Sequence, residues 1–84
     1  MGKYDKLILQ ILHGLSDANI AFEDLLHLLQ HLGFEIRIRG SHHMFRKAGI
    51  AEKINLQRQG AKAKAYQVRQ VREIIQKYRL AKEE

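Results

Sequence analysis

The residues of this 84-residue chain that are best suited to acid–base chemistry are two adjacent histidines, His42 and His43. Free imidazole titrates at a pKa of about 6.5, so it takes up and releases protons near neutral pH. Arginines flank the pair at positions 37, 39 and 46. A histidine among cations that hold a phosphate can promote attack of a ribose 2′-hydroxyl on the adjacent phosphodiester without a metal ion. The alternative is a histidine with a structural hydrogen bond in a hairpin.

Basic residues are concentrated in the second part of the chain. The net charge is +6, and residues 36–79 contain twelve Lys and Arg against two acidic residues. This concentration favours a polyanionic partner, with nucleic acid first and an anionic membrane surface or an acidic protein behind it. The alternative is a charged surface that only keeps the protein in solution.

Length and composition exclude several classes of protein. A chain of 84 residues forms one small domain with no room for a large enclosed cleft. It contains no Cys, which excludes disulfides, thiol redox motifs and thiolate metal sites. The apolar run at residues 7–12 is far shorter than the roughly 18 residues of a membrane span, and the first residues lack a signal-peptide pattern. We therefore expect a cytoplasmic protein without a cofactor and without membrane association.

Hydrophobic periodicity predicts three helices. The first covers residues 4–13 and ends at Gly14, and the second covers residues 21–32 and ends at Gly33. The third covers residues 66–78. Each has an apolar stripe at helical spacing, so each can pack one face against a core.

Between the second and third helices the apolar period changes from 3.6 to 2. Alternation over residues 34–39 predicts a half-buried strand with arginines on its wet face. Residues 40–41 make a turn, further strands are predicted at 42–47 and 52–57, and 58–65 is predicted to be a basic flexible loop. The expected fold is α+β: a three-stranded antiparallel sheet with helices on one face, plus an extra N-terminal helix.

Side chains that are adjacent on a strand point to opposite faces. Because the large apolar Phe45 belongs inside, His43 is expected on the inner face and His42 on the outer face with Met44 and Arg46. A one-residue error in register would exchange the two histidines. The exposed face is expected to carry Arg37, Arg39, Lys53, Asn55 and Gln57.

A longer motif surrounds the histidine pair. Gly33-Phe34 ends a helix, Arg37-Ile38-Arg39-Gly40-Ser41-His42-His43-Met44-Phe45 follows, and the last helix contains Val71-Arg72 and Ile74-Ile75. Over residues 20–80 this order resembles the HicA family of bacterial toxins, also called YcfA-like. The resemblance implies a fold similar to the double-stranded RNA-binding domain, with the order α-β-β-β-α. It also implies a metal-independent endoribonuclease, or mRNA interferase, that belongs to a type II toxin–antitoxin system and is silenced by a HicB antitoxin.

The resemblance implies RNA cleavage by a single strand-borne histidine, which we place at His42, with His43 as the second choice. The candidate RNA-binding and phosphate-binding residues are Arg37, Arg39, Ser41, Arg46, Lys47, Lys53, Lys62 and Lys64. Many relatives have a proline and a second histidine near the end of the third strand. This chain has residues 55–57, Asn-Leu-Gln, at that place.

The expected division of the chain is an N-terminal helix and connector at 1–19, a HicA-like RNA-binding and nuclease domain at 20–80, and a tail at 81–84. The first helix either packs on the core, mediates a homo-oligomer or contacts the antitoxin. His27 and His31 have the spacing of two zinc ligands, but no third ligand converges, so no metal site is expected. Two other functions stay open: a non-catalytic RNA-binding module of the same shape, and a basic protein-interaction domain.

Overall fold

The helices and strands follow the chain in the predicted order, with two additions, a short 3-10 helix and a two-stranded hairpin. The computed structural model describes residues 4–81; residues 1–3 and 82–84, which include most of the predicted tail, lie outside the described range. The elements are α1 (Asp5–His13), a short 3-10 helix (Asp17–Asn19), α2 (Phe22–His31), β1 (Glu35–Arg39), β2 (His42–Arg46), β3 (Ile54–Leu56), β4 (Arg58–Gln59), β5 (Lys62–Ala63) and α3 (Ala65–Tyr78). The predicted α+β class is confirmed.

Strands β1, β2 and β3 form an antiparallel sheet in that order. Its register places Ile36 opposite Phe45, and Phe45 opposite Ile54. His43 stands opposite Leu56 on the same face. Phe45, Ile54 and Leu56 are fully buried, so this inner face is the one that meets the helices.

All three helices contribute to one hydrophobic core. The buried apolar side chains are Ile11, Ile20, Phe22, Leu25, Leu28, Leu29, Phe34, Phe45, Ile54, Leu56, Ala63, Val68, Val71, Ile74 and Ile75. Because Ile11 of α1 is fully buried among them, the N-terminal helix packs on the core, which is the first of the three roles considered for it. Within residues 4–81, no helix has the length and apolar content needed to cross a membrane.

The end of α2 sets the direction of the chain into β1. Gly33 has a φ of 98°, its N–H donates to Gln30 O at 3.0 Å, and the Phe34 N–H donates to Leu29 O at 3.0 Å. This pair of hydrogen bonds is a Schellman motif, which needs a residue in the left-handed region and therefore favours glycine. The predicted end of the second helix at Gly33 is confirmed.

Strand β3 is shorter than the predicted 52–57. Glu52 turns away from the sheet, and its Oε2 accepts a hydrogen bond from Lys77 Nζ of α3 at 2.8 Å. At the other end, the Gln57 N–H donates to Gln67 Oε1 of α3 at 3.1 Å. At both ends of β3, hydrogen bonds with side chains of α3 thus take the place of backbone hydrogen bonds between strands.

The prediction of a flexible loop over residues 58–65 is wrong. Strands β4 and β5 form a two-stranded antiparallel hairpin with Gly60 in its turn at a φ of 64°. The hairpin is fixed to the chain before α2, because the Ala63 N–H donates to Ile20 O at 2.9 Å. This segment therefore has a defined place between the sheet and α3.

Candidate functional site

The face of the sheet opposite the core is open to solvent. It carries Glu35, Arg37 and Arg39 from β1, His42, Met44 and Arg46 from β2, and Asn55 from β3, and we call these residues the outer face. His42 stands directly opposite Arg39 and is exposed, whereas His43 points inward and is half-buried. The structure thus has the two histidines on the faces predicted for them.

Two amide side chains hold the His42 ring. Its Nδ1 lies 3.4 Å from Asn55 Nδ2, and its Nε2 lies 3.4 Å from Gln57 Nε2. Arg39 is the cross-strand neighbour, and such directly opposed residues have Cβ atoms about 5 Å apart. A histidine, a guanidinium and two amides therefore share one end of the sheet.

The Gln57 side chain is the basis for assigning a tautomer to His42. Lys64 Nζ donates to Gln57 Oε1 at 3.4 Å, so the amide NH₂ group of Gln57 is the part that faces His42 Nε2. We therefore assign Nε2 as the acceptor and place the proton of the neutral ring on Nδ1. Asn55 suits this tautomer when its amide is turned by half a rotation, so that Oδ1 accepts from Nδ1. The unprotonated Nε2 is thus the atom of His42 that can act as a base.

Four cationic side chains on or beside the outer face have no partner among the described residues. Arg37, Arg39, Arg46 and Lys53 make no ion pair and no side-chain hydrogen bond within residues 4–81. All four side chains are exposed. Their charges are consequently available to an anionic ligand.

Three of the predicted phosphate-binding residues lie far from His42. Arg46 is four residues further along β2, which corresponds to about 13 Å of strand, and Lys53 precedes β3 at that same end. Lys47 Nζ lies over the C-terminal end of α2, where a Cβ on Gly33 would come within 2.6 Å of it. The structure does not bring these residues to the His42 end of the sheet.

Of the remaining predicted residues, Arg37 and Arg39 lie on β1, opposite Met44 and His42. Lys62 lies on the β4–β5 hairpin, where its Nζ donates to Asn19 Oδ1 at 3.0 Å. Lys64 and Ser41 lie at the His42 end, where both line a cleft. Of the sequence-based set, Arg39, Ser41 and Lys64 are therefore grouped around the histidine pair.

The cleft opens beside the β1–β2 turn on the inner side of β2, and we call it the turn cleft. Its volume is about 290 Å³, and it is lined by Gly40, Ser41, His43, Gln57, Arg58 and Lys64. The edge of the His43 ring packs on Phe22, with ring centroids 5.0 Å apart. The Arg58 guanidinium lies 4.6 Å from the centre of the same Phe22 ring and pairs with Glu23. Phe22 therefore supports both the imidazole and the guanidinium.

Sequence reasoning missed Asn55, Gln57 and Arg58 as site residues. The alternation of apolar and polar residues in the predicted third strand places Asn55 and Gln57 on the same exposed face as His42. This shared face was the signal that could have identified them as site residues. Arg58 had no such signal, because its position depends on the unpredicted hairpin.

The two histidines with zinc-ligand spacing, His27 and His31, lie on α2. The His31 ring stacks on Tyr4, with ring centroids 4.5 Å apart. Within the described part of the chain, no group of three or more His, Asp or Glu side chains is placed to hold a metal ion.

Comparison of the chain with models of known protein families, with curated proteins and with solved structures finds no match. The resemblance to the HicA family therefore depends on the motif around Gly33 to Phe45 and on the order of the elements.

Proposed function

We propose that this protein is a metal-independent endoribonuclease of the HicA type, the toxin of a type II toxin–antitoxin system, with His42 as its catalytic residue. One observation carries the proposal: an exposed histidine, oriented by two amides, stands beside unpaired arginines on an open sheet face. An open face suits RNA, because single-stranded regions bind with their bases splayed over a surface. The proposed setting is the bacterial cytoplasm.

The chemistry uses the 2′-hydroxyl of the RNA itself as nucleophile. His42 Nε2 removes the proton of the 2′-hydroxyl once the substrate displaces the Gln57 amide. The 2′-oxygen then bonds to the adjacent phosphorus, the bond from phosphorus to the 5′-oxygen breaks, and that oxygen takes a proton from solvent. The products are a 2′,3′-cyclic phosphate and a 5′-hydroxyl. Arg39 stabilises the negative charge that grows on the phosphate oxygens.

The order of elements supports a fold of the double-stranded RNA-binding type. Elements α2, β1, β2, β3 and α3 give the order α-β-β-β-α, and α1 precedes them. The hairpin of β4 and β5 is an insertion between β3 and α3. A HicB-like antitoxin is the proposed protein partner, since covering the outer face would block access of RNA to His42.

The decisive test is the substitution His42→Ala. We expect cleavage of a single-stranded RNA to fall about 10²-fold to 10⁴-fold, the range that a general base contributes, and growth arrest on expression to disappear. EDTA should leave cleavage by the wild-type protein unchanged. His27→Ala is the matched control, because His27 is exposed on α2 and away from the outer face. Undiminished cleavage by His42→Ala would remove His42 from the catalytic role.

A second candidate function is RNA binding without cleavage. The observation in its favour is that His42 is the only His, Asp or Glu at its end of the described outer face, so no second group there protonates the leaving oxygen. This candidate predicts salt-sensitive retention of RNA with no new 5′-hydroxyl or cyclic phosphate termini. End-group analysis of RNA incubated with the wild-type protein separates the two functions.

A further inference from the structure

One ring nitrogen of His43, Nδ1, is buried, and the other, Nε2, is not. Among residues 4–81, its Nδ1 is the one buried side-chain nitrogen or oxygen without a hydrogen-bond partner. Its Nε2 is not buried to this extent, and it forms no hydrogen bond with any residue of the described range 4–81. A buried N–H without an acceptor is disfavoured more than a buried lone pair, so the proton of the neutral ring lies on Nε2. Since His43 lines the turn cleft, this N–H is a donor that a ligand can reach.

The other polar groups of the turn cleft are suited to an anion. Within the described part of the chain, the Lys64 ammonium group contacts only the neutral Gln57 amide and pairs with no carboxylate. Arg58 shares its charge with Glu23, which leaves the surroundings of the cleft with a positive charge of about one. Ser41 adds a hydroxyl, and the described residues that line the cleft include no carboxylate.

The size of the turn cleft limits the anion to a small group. A volume of about 290 Å³ lies just below the range of pockets that enclose whole drug-sized molecules. A phosphate group, which accepts several hydrogen bonds and is preferred by guanidinium and ammonium donors, fits both the size and the chemistry.

The position of the turn cleft connects it with His42. The two histidines are adjacent on β2 and face opposite sides of the sheet at the β1–β2 turn. Gln57 contacts His42 with its amide and also lines the cleft. The space beside Gly40 is open, since a Cβ there would meet no atom within 4 Å. A nucleic acid strand can therefore pass over the turn from one face to the other.

We infer that the turn cleft is a subsite for an RNA backbone phosphate next to the phosphate at His42, bound by His43 Nε2, Lys64 and Arg58. The inference rests on the proposed function in that RNA is the ligand. It assigns His43 to binding on the inner side of the sheet and leaves the proton transfer to His42.

The test measures binding of a short single-stranded RNA by fluorescence anisotropy. The parent protein carries His42→Ala so that the RNA stays intact. In that background we expect Lys64→Met to weaken binding about tenfold at 0.1 M salt, the size of one lost charge-assisted hydrogen bond. The slope of log K against log salt should also fall by about 0.7, as expected for one phosphate contact to a single strand.

Two further variants make the result specific to the turn cleft. His43→Phe keeps an aromatic edge against Phe22 and removes only the ring nitrogens, and it should weaken binding several-fold. Lys6→Met is the control, because it removes the same charge from an exposed position on α1. If Lys64→Met and His43→Phe bind RNA as well as Lys6→Met does, the subsite does not exist.

NMR of the His43 ring signals separates two sources of phosphate. We expect the RNA to shift these signals in the His42→Ala protein and to displace inorganic phosphate added first. Shifts with inorganic phosphate that the RNA neither reproduces nor displaces would show a free-phosphate site and overturn the inference.

The outcomes for the two proposals are distinguishable. Cleavage by the wild-type protein together with cleft variants that bind normally would overturn the subsite alone. RNA binding that depends on Lys64 in a protein that never cleaves RNA would overturn the nuclease and leave the subsite.

Discussion

The basic side chains of helix α3 and those of the outer face differ in what they contact. Arg72 Nη1 of α3 donates to Asp17 Oδ1 at 2.9 Å and to Ile11 O at 3.2 Å, in a pair whose side chains are only 18% and 13% exposed. Arg37 and Arg39 of the outer face have no such partner within the described residues. Arg72 therefore joins α3 to the N-terminal part of the chain, whereas the arginines of the outer face remain available to bind an anionic ligand.

This difference changes the meaning of the net charge. The twelve Lys and Arg of residues 36–79 predict one broad basic surface. In the folded protein Arg58, Arg72 and Lys77 each pair with an acid, so the surface that can bind a polyanion is narrower and lies on the sheet and its turn. Ion pairing within the fold, which a charge count does not register, sets the size of the candidate site.

The largest expected effect on stability comes from Arg72→Ala. It leaves the Asp17 carboxylate partly buried without a partner and removes a donor from the last carbonyls of α1. We expect the free energy of unfolding to fall by about 2–3 kcal/mol, measured by urea titration. Arg69→Ala, on the exposed side of the same helix, should change it by less than about 0.5 kcal/mol. Equal effects of the two substitutions would remove the distinction between the regions.

A smaller effect is expected at the exposed pair of Glu52 and Lys77. The Lys77 ammonium, and after it the Tyr78 hydroxyl, donate hydrogen bonds that lower the pKa of Glu52 from 4.5 to about 2. The pKa of Glu52 is lower in the folded protein than in the unfolded chain. The contacts of Glu52 therefore stabilise the fold fully above pH 4.5, and this stabilisation is lost as the pH falls toward 2. The same contact raises the pKa of Lys77.

The Glu52→Gln variant tests this assignment. Urea titrations from pH 6 down to pH 2 should show a loss of stability for the wild-type protein that is partly absent in the variant. Parallel curves for the two proteins over this range would mean that other carboxylates cause the acid sensitivity.

The smallest effect on stability is expected on the outer face. Replacing Arg37 and Arg39 by Gln should leave the free energy of unfolding within about 0.5 kcal/mol, because neither side chain holds another element. Affinity for single-stranded RNA should nevertheless fall, and the salt slope should decrease by about 0.7 for each phosphate contact that is lost. A loss of stability comparable with that of Arg72→Ala would show that these arginines are structural.

Two turns of the same kind show where sequence reasoning succeeds and where it stops. Gly40 and Gly60 each stand first in a two-residue turn, with φ values of 57° and 64°. The turn at Gly40 is predictable because apolar and charged residues alternate before it. Around Gly60, Ala and Lys alternate over residues 61–65, but residues 57–59 before it are all polar, and Ala and Lys are both depleted in strands, so the glycine was the clearest sign of a hairpin.

The candidate site, too, can be predicted from the sequence only in part. The outward orientation of His42 follows from the period of two and from Phe45 as the apolar reference. The contact of Lys64 with Gln57 does not follow, because Lys64 reaches this place through the unpredicted hairpin. Arg46 and Lys47 are close to the histidines in sequence and distant in space, since a strand extends its residues along a line.

The hydrogen bond from Arg72 to the Ile11 carbonyl of α1 has a consequence for the order in which contacts form during synthesis of the chain. Arg72 is 61 residues after Ile11, whose carbonyl it binds, and 55 residues after Asp17. A chain that emerges from the ribosome with its N-terminus first has made α1 long before the guanidinium that holds it. The contact that holds α1 against α3 can therefore form only after residue 72 has been synthesised, so α1 gains this support late relative to its own synthesis.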